Sequence, residues 1–332
     1  TFIEVTPMDE HGYFNFGASI TRQKAACDVA KIVVVEVNES QPWVHGGYDE
    51  AIHISQVNYI VENYEYRIPE FSIEPITKTD EEIAQHLAEL IEDGATMQLG
   101  IGGIPNAVGK LLIKYGLHDI GIHTEMFTES MVDLIEAGVV TGRKKSLNPG
   151  KAVHCFAAGS RRLYQFMNRN TMLAGFPVDY TNDPYIIAQN KKQVAINNAL
   201  RVDLRGQVCS ESAGCRHISG TGGQLEFTRG AYMSPGGKAF ICLHSTYRDK
   251  DGKSASNIVP TLELGDVVTV PRTEVSYIVT EFGVVNLKAK SDWQRAKLLT
   301  SIAHPDFRGE LEEAARRMNL ITPGTARLGY GG

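Results

Sequence analysis

The sequence predicts an α/β protein of two open α/β domains, and three observations lead there. Strand-like and helix-like patterns alternate along the chain, which favours helices layered on sheets over an all-helical or all-β fold. Ile32-Val33-Val34-Val35-Glu36-Val37 is a continuous β-branched run of the sort buried in parallel sheets. Near residue 100 the order is strand, glycine loop, helix, the arrangement by which open sheets present a ligand site. With 332 residues the chain has room for about two domains and a sizeable core.

In chain order, a helical stretch from Ile20 to Lys31 precedes the Ile32 to Val37 strand, and the pair reads as half a domain. The chain opens without Met on the strand-like Thr1-Phe2-Ile3-Glu4-Val5-Thr6, so it is expected to begin partway into a longer protein, with the N-terminus of its first domain missing. From Ile68 to Thr77 apolar periodicity gives way to proline and acids; this places a boundary, with 1–75 the remainder of an N-terminal domain and 76–321 a C-terminal one. Thr79 with Glu82 predicts a capping box for a helix whose Ile83, Leu87, Leu90 and Ile91 share a face and which Gly94 ends. Ala95 to Leu99 then reads as a strand, Gly100 to Ile104 as a loop, and Pro105 as the first residue of a helix through Asn106, Val108, Leu111, Leu112 and Ile113. A short strand, Ile120 to Ile122, ends at His123-Thr124-Glu125, and a third helix carries Met131, Val132, Leu134 and Ile135. The end, 322–332, reads as a flexible tail.

Composition removes several function classes. A net charge of −6 with no long basic run argues against a nucleic-acid partner. The cysteines (Cys27, Cys155, Cys209, Cys215, Cys242) are odd in number, scattered and without CxxC spacing, so neither a disulfide framework nor a zinc site is expected, and a reducing cytoplasm fits. No apolar run approaches the roughly 18 residues that span a bilayer, and no basic-then-apolar export signal opens the chain. His154, His217, His244 and His304 are dispersed, and no metal is expected.

Glu125 is the leading candidate for chemistry. It follows a strand at the carboxyl end, beside Gly100-Ile101-Gly102-Gly103-Ile104-Pro105, where free backbone N–H groups and a helix N-terminus attract negative charge. A carboxylate facing such a loop is the minimum equipment for covalent acyl transfer. Taken alone, the loop also reads as a strand-to-helix turn with no ligand, and Glu125 as a solvated acid at a helix N-terminus. A dinucleotide site competes too, but G-I-G-G-I-P puts proline where GxGxxG has its third glycine. His123 is expected to pack, or to bond backbone, on the opposite side of its strand from Glu125.

Downstream stretches resolve the choice. GIGGIPNAV, GIHTEMFTESMVDLIEAG, AINNALRVDLRGQVCSES, SGTGGQLEFTRGAYMSPGGK, VTEFGVVNL and IAHPDFR, in that order, resemble the acetyl-CoA hydrolase/transferase family of class I CoA-transferases over nearly the whole chain. Within it the butyryl-CoA:acetate and 4-hydroxybutyrate CoA-transferases look most similar. The resemblance implies two CoA-transferase-type domains with the active site between them, acyl-CoA and short-chain carboxylate substrates, no permanently bound cofactor, a homodimer or larger assembly, and no membrane partner. It makes Glu125 the nucleophile, passing through an acyl-glutamyl anhydride and a glutamyl-CoA thioester. A glutamate is ionised at neutral pH and needs no separate base.

The resemblance also places Gly100, Ile101, Gly102, Gly103 and Ile104 against CoA, together with the Gly222-Gly223 cluster. By the same reading Leu200 touches CoA through its backbone, Gly223 lies by the thioester, and Lys250 meets the nucleotide end. The segment YRDKDGK also offers Lys253, and its Asp251-Gly252 reads equally as a hairpin turn. Glu211 is a further acid in the motif regions. Glu226, where relatives usually have aspartate, is read as a structural partner of the glycine turn. Arg201 stands where the family often has an acid, so one local salt bridge is expected to differ. Gln41 to Gly47, QPWVHGG, departs from the family's NxxMPRTxG pattern in a region that sets acyl or acceptor selectivity. Two other classes are weighed: a hydrolase, which would use the same residues but admit water, and a non-catalytic CoA-binding relative, which would have lost Glu125.

Overall fold

Two parallel sheets organise the chain in a computed structural model that describes residues 1–63, 65–71 and 75–320. The expected tail at 322–332, and residues 72–74 of the expected boundary, lie outside the described residues. In the first sheet Val34–Val37 runs between Phe2–Val5 and Tyr59–Glu62, all parallel. The β-branched run is buried on one face, through Val35 and Val37, and not on both. The helix before it spans only Gln23–Val29. Its expected start is drawn away, because Ile20 N donates to Cys155 O at 2.8 Å and Ser19 bridges Phe156.

The next helix is Lys78–Ala88, and its capping box is Thr77 with Asp80, two residues before the expected pair. Asp80 N donates to Thr77 Oγ1 at 3.2 Å, and Thr77 N donates to Asp80 Oδ2 at 2.8 Å. His244 Nε2, 2.8 Å from Asp80 Oδ1, provides a tertiary anchor that the rival pair lacks. This helix ends at Ala88 and not at Gly94. Leu90 N and Ile91 N bond three residues back to Leu87 O and Ala88 O, tightening the last turn, while Ile91 still packs in the core. Pro105 lies inside the first turn of Gly103–Lys114, not at its first position, where its missing N–H is still one the helix would leave free.

The second sheet has six strands in the spatial order Gly121–Ile122, Thr96–Leu99, Gln193–Asn198, Lys238–Cys242, Tyr277–Thr280, Gly283–Asn286. The first five are parallel and the last is an antiparallel edge. Counted along the chain, the parallel strands lie in the order 2-1-3-4-5, so the winding direction reverses between Thr96–Leu99 and Gln193–Asn198. In such sheets a crevice opens outside the carboxyl ends at the reversal. Buried apolar residues from Ile3 to Val279 form one cluster that includes both sheets. A second cluster, from Val202 to Leu320, packs the far side of the larger sheet.

The corrected cap makes a discriminating test. Thr77→Ala should cost about 1 kcal/mol in urea unfolding, the usual loss of an N-cap. Thr79→Ala should stay within about 0.5 kcal/mol.

Candidate active site

Glu125 sits just beyond the carboxyl end of Gly121–Ile122. Parallel pairing matches Thr96 with Gly121 and Met97 with Ile122, so extending the register sets Gly100 level with Glu125. The main chain of Glu125 is fixed because its carbonyl accepts from Cys155 N at 3.0 Å and Phe156 N at 3.1 Å. It does not serve as a helix cap acid. The following helix, Glu129–Glu136, takes Thr128 as its N-cap, and it is Glu129 that occupies the first turn.

The half-buried Glu125 carboxylate lies against Gly223 and the Asn182 side-chain amide, whose N–H groups favour its ionised form. Burial, the largest influence, raises its pKa above the ordinary carboxylate value; Glu226 adds to the rise, and the two donors oppose it. Gly223 permits this approach because a Cβ there would lie 2.3 Å from Glu125 Oε2 and 2.5 Å from Asn182 Nδ2. Neither contact could be accommodated without movement. Asn182, in a Thr-Asn-Asp-Pro turn, carries no sequence signal of its own, and only the fold brings it to Glu125.

The neighbouring chain ends enclose a cleft of about 1140 Å³, lined by Ile101 to Ile104, Met126, Phe156, Leu200, His244 and Tyr247 among others. This is roomy beside the ~300–1,000 Å³ usual for small-molecule sites. Ile101, Gly102, Gly103, Ile104 and Leu200 therefore share one cavity wall, and Met126 joins it directly after Glu125. Gly100 and Leu200 have already committed their N–H groups, to Ile196 O and Cys209 O, each at 2.9 Å. The glycine-loop helix end also holds an anion of the protein's own, since a Cβ on Gly103 would lie 2.3 Å from Asp80 Oδ2. The expected ligand anion therefore has a competitor there.

Lys250 lies apart from this wall. It is exposed in the turn between Thr246–Arg248 and Ser254–Ser256, where Asp249 Oδ1 accepts from Asp251 N at 2.9 Å and Lys253 N at 2.8 Å. The hairpin reading holds locally, although Thr246 and Tyr247 at its base line the cleft. Arg201 keeps its own ion pairs, to Glu263 at 2.8 Å and Asp266 at 3.4 Å, and bonds the Tyr247 hydroxyl at 3.2 Å. Glu211 accepts from Thr269 Oγ1 at 2.9 Å, away from Glu125. Glu226 is not bonded to the glycine turn, and its Oε2 is buried without a partner among the described residues. Gly46 of the QPWVHGG segment bridges Gly175, beside the Tyr48, Phe176 and Tyr180 ring cluster that precedes Asn182.

His123 bonds backbone, as expected, but not for the expected reason. Residues two apart share a face of a regular strand, and here the strand stops at Ile122. His123 is fully buried, its Nε2–H donates to Thr181 O at 2.9 Å, and its Nδ1 accepts from Asn190 Nδ2 at 3.3 Å. It thereby braces the residue before Asn182. Burial, then the nearby Lys145 charge, pushes its pKa down to about 3. The buried Lys145 ammonium donates to Ile122 O at 2.7 Å and Lys151 O at 2.8 Å, and desolvation lowers its pKa to about 7. Among the described residues no cluster of three or more His, Cys, Asp or Glu could hold a metal ion, and no helix is long and apolar enough to cross a membrane.

Comparison with known proteins gives concordant matches. Residues 1–71 match the acetyl-CoA hydrolase/transferase N-terminal domain and residues 159–315 its C-terminal domain. The chain is 46% identical over 319 residues to the butyryl-CoA:acetate CoA-transferase of Anaerostipes caccae, covering 96% of this chain and 72% of that protein. It is 50% identical over 317 residues to the succinyl-CoA:cyclohexane-1-carboxylate CoA transferase of Geobacter metallireducens, covering 96% and 71%. The solved 4-hydroxybutyrate CoA-transferase of Porphyromonas gingivalis superposes with a TM-score of 0.82 at 42% identity, covering 96% of this chain and 74% of that one.

Two buried histidines set a pH dependence of stability. Burial lowers His123 to about 3 and His154 to about 4, from 6.5. Below pH about 6.5 the unfolded chain takes up protons that the folded chain refuses, so this contribution is intact above that pH and is lost as pH falls toward 4. The raised Glu125 works in the opposite direction over its own range. The urea midpoint should fall between pH 7 and pH 5, on the order of 2 kcal/mol per histidine. His154→Gln should flatten that slope.

Proposed function

The chain belongs to the acetyl-CoA hydrolase/transferase family, and from that premise we propose that it moves coenzyme A between a short-chain acyl-CoA, butyryl-CoA in the first place, and acetate. The observation that carries the reading is a half-buried carboxylate, Glu125, set against the Asn182 amide and the Gly223 backbone, one residue before Met126 of a cleft large enough for a CoA arm. The relatives' activities support the reaction class. Either 4-hydroxybutyryl-CoA as the donor or water as the final acceptor is an alternative within the same chemistry.

In this reading a Glu125 oxygen attacks the thioester carbonyl carbon. The C–S bond breaks, CoA thiolate leaves, and a mixed anhydride joins Glu125 to the acyl group. Returning thiolate attacks the Glu125 carbonyl, expels the acyl carboxylate, and leaves a glutamyl-CoA thioester. Acetate then repeats the two steps in reverse and departs as acetyl-CoA. Negative charge gathers on the Glu125 carbonyl oxygen each time it is attacked, where Gly223 N–H and Asn182 Nδ2 already point. Substrate excludes water from the same region, which strengthens both bonds.

Other parts of the reading follow the same line. The Ile101 to Ile104 loop and Leu200 border the pantetheine path; Gly100 supports the loop; Lys250 reaches the nucleotide end from the rim. Residues 1–75 and 76–321 form the two domains, a division supported by the separate sheets and by the N-terminal match, which ends at residue 71. The protein works as a homo-oligomer in the cytoplasm, a setting supported by its dispersed free thiols.

Glu125→Ala should abolish acetate-dependent CoA exchange while the protein still unfolds in one cooperative transition, and borohydride should inactivate the wild type only after incubation with acyl-CoA. Full exchange activity in that variant would sink the mechanism. Across butyryl-CoA and 4-hydroxybutyryl-CoA, kcat/KM should differ by no more than about 100-fold, since a mainly apolar pocket separates such pairs weakly. Gly223→Ala should lower kcat by about 100-fold with the protein still folded, because the added Cβ, 2.3 Å from Glu125 Oε2, pushes the carboxylate away from an N–H that is itself retained.

A further inference from the structure

The helix Gln224–Met233 starts from Gly223, and its third residue is Glu226. In a capping box the carboxylate at that position reaches back to the N-cap N–H. Here the Glu125 carboxylate stands against Gly223 instead, where a Cβ would lie 2.3 Å from its Oε2, and the helix has no side-chain cap. Glu226 is left half-buried, with Oε2 shielded from water and without a hydrogen-bond partner among the described residues. Two carboxylates thus stand at one helix end, Glu125 against its N-cap glycine and Glu226 in its first turn.

We propose that Glu226 tunes the nucleophile: its unbonded carboxylate disfavours the free anion of Glu125 and favours the uncharged acyl and thioester forms. This rests on Glu125 being the nucleophile. The covalent balance shows where the effect falls. When Glu125–COO⁻ and acyl-CoA become glutamyl-CoA thioester and free acyl carboxylate, one negative charge leaves the site with the product. A fixed like charge beside Glu125 drives that departure and resists the entry of the next carboxylate. The helix N-terminus offsets part of the repulsion, which is how both groups are tolerated together. Around Glu125 the other groups are the neutral Asn182 amide and the Cys155 thiol, pushed up to about 12 by burial and by Glu125 itself, so Glu226 is the charge that acts on it.

The test removes the charge and reads the covalent equilibrium. Enzyme is equilibrated with butyryl-CoA and butyrate at fixed ratio, and the glutamyl-CoA thioester is trapped with borohydride and counted. For Glu226→Gln the equilibrium constant for thioester should fall by about tenfold, as for one pK unit of lost repulsion, and KM for acetate should fall with it. Glu226→Asp should restore wild-type values of both. Glu226→Met, similar in volume and uncharged, gives the same readout should the glutamine variant fold poorly. A thioester fraction and acetate KM unchanged in the uncharged variants, in an enzyme that Glu125→Ala still inactivates, would overturn the tuning role alone. Activity surviving in Glu125→Ala would overturn the nucleophile reading beneath it.

Discussion

The contact between the Gly223 backbone and the Glu125 carboxylate depends on the absence of one atom. With any side chain at position 223 a Cβ would stand 2.3 Å from Oε2, so the carboxylate would have to shift from its present place at the helix end. Everything else at the centre assumes that closeness. Asn182 completes the surroundings of the carboxylate, and Glu226 does not cap the helix whose N-terminus Glu125 faces. Glu125 is held from behind by Cys155 and Phe156, whose N–H groups both end on its carbonyl.

Much of the scaffold was legible in local sequence. Thr96–Leu99, the glycine loop and Gly121–Ile122 follow from apolar runs and glycine placement, and they set Gly100 and Glu125 at one register level. What the pattern misjudged was decided by tertiary partners. Ile20 looks helical but pairs with Cys155, and the capping box settled on Asp80, which His244 also holds. Asn182 was invisible because nothing local marks it; its distance along the chain from Glu125 is closed by the fold and by His123 bonding the adjacent Thr181 carbonyl. Glu226 was misread for the same reason, since the N-cap glycine of its helix faces a residue about a hundred positions earlier.

Charge along the cleft is largely satisfied within the protein. Asp80 is bonded by His244 and Thr77, Glu129 by Ser160 and Arg162, and Arg201 by Glu263, Asp266 and the Tyr247 hydroxyl. These groups shape the wall and brace its loops. An uncharged, flexible chain with amide groups suits such a surface better than a phosphate does, and the pantetheine part of CoA has that character. The exposed Arg248, Lys250 and Lys253 stand on the hairpin outside it. Proposed binding thus separates along the ligand, with apolar and neutral polar contacts inside and cations at the rim, and remote binding energy can be used at the reacting carbon.

A carboxylate nucleophile faces two opposed demands. It must be ionised to attack, yet a strongly stabilised anion is a poor nucleophile and a good leaving group. Burial and Glu226 raise the energy of the Glu125 anion, while Asn182 and Gly223 lower it. In the proposed mechanism the same two groups serve the attacked carbonyl, so their stabilisation is not lost when the anion is consumed; it passes to the developing oxyanion. The repulsion does not pass on, because the acylated Glu125 carries no charge. In the proposed mechanism a site built from these four groups therefore destabilises the resting anion relative to the uncharged anhydride and thioester that follow it.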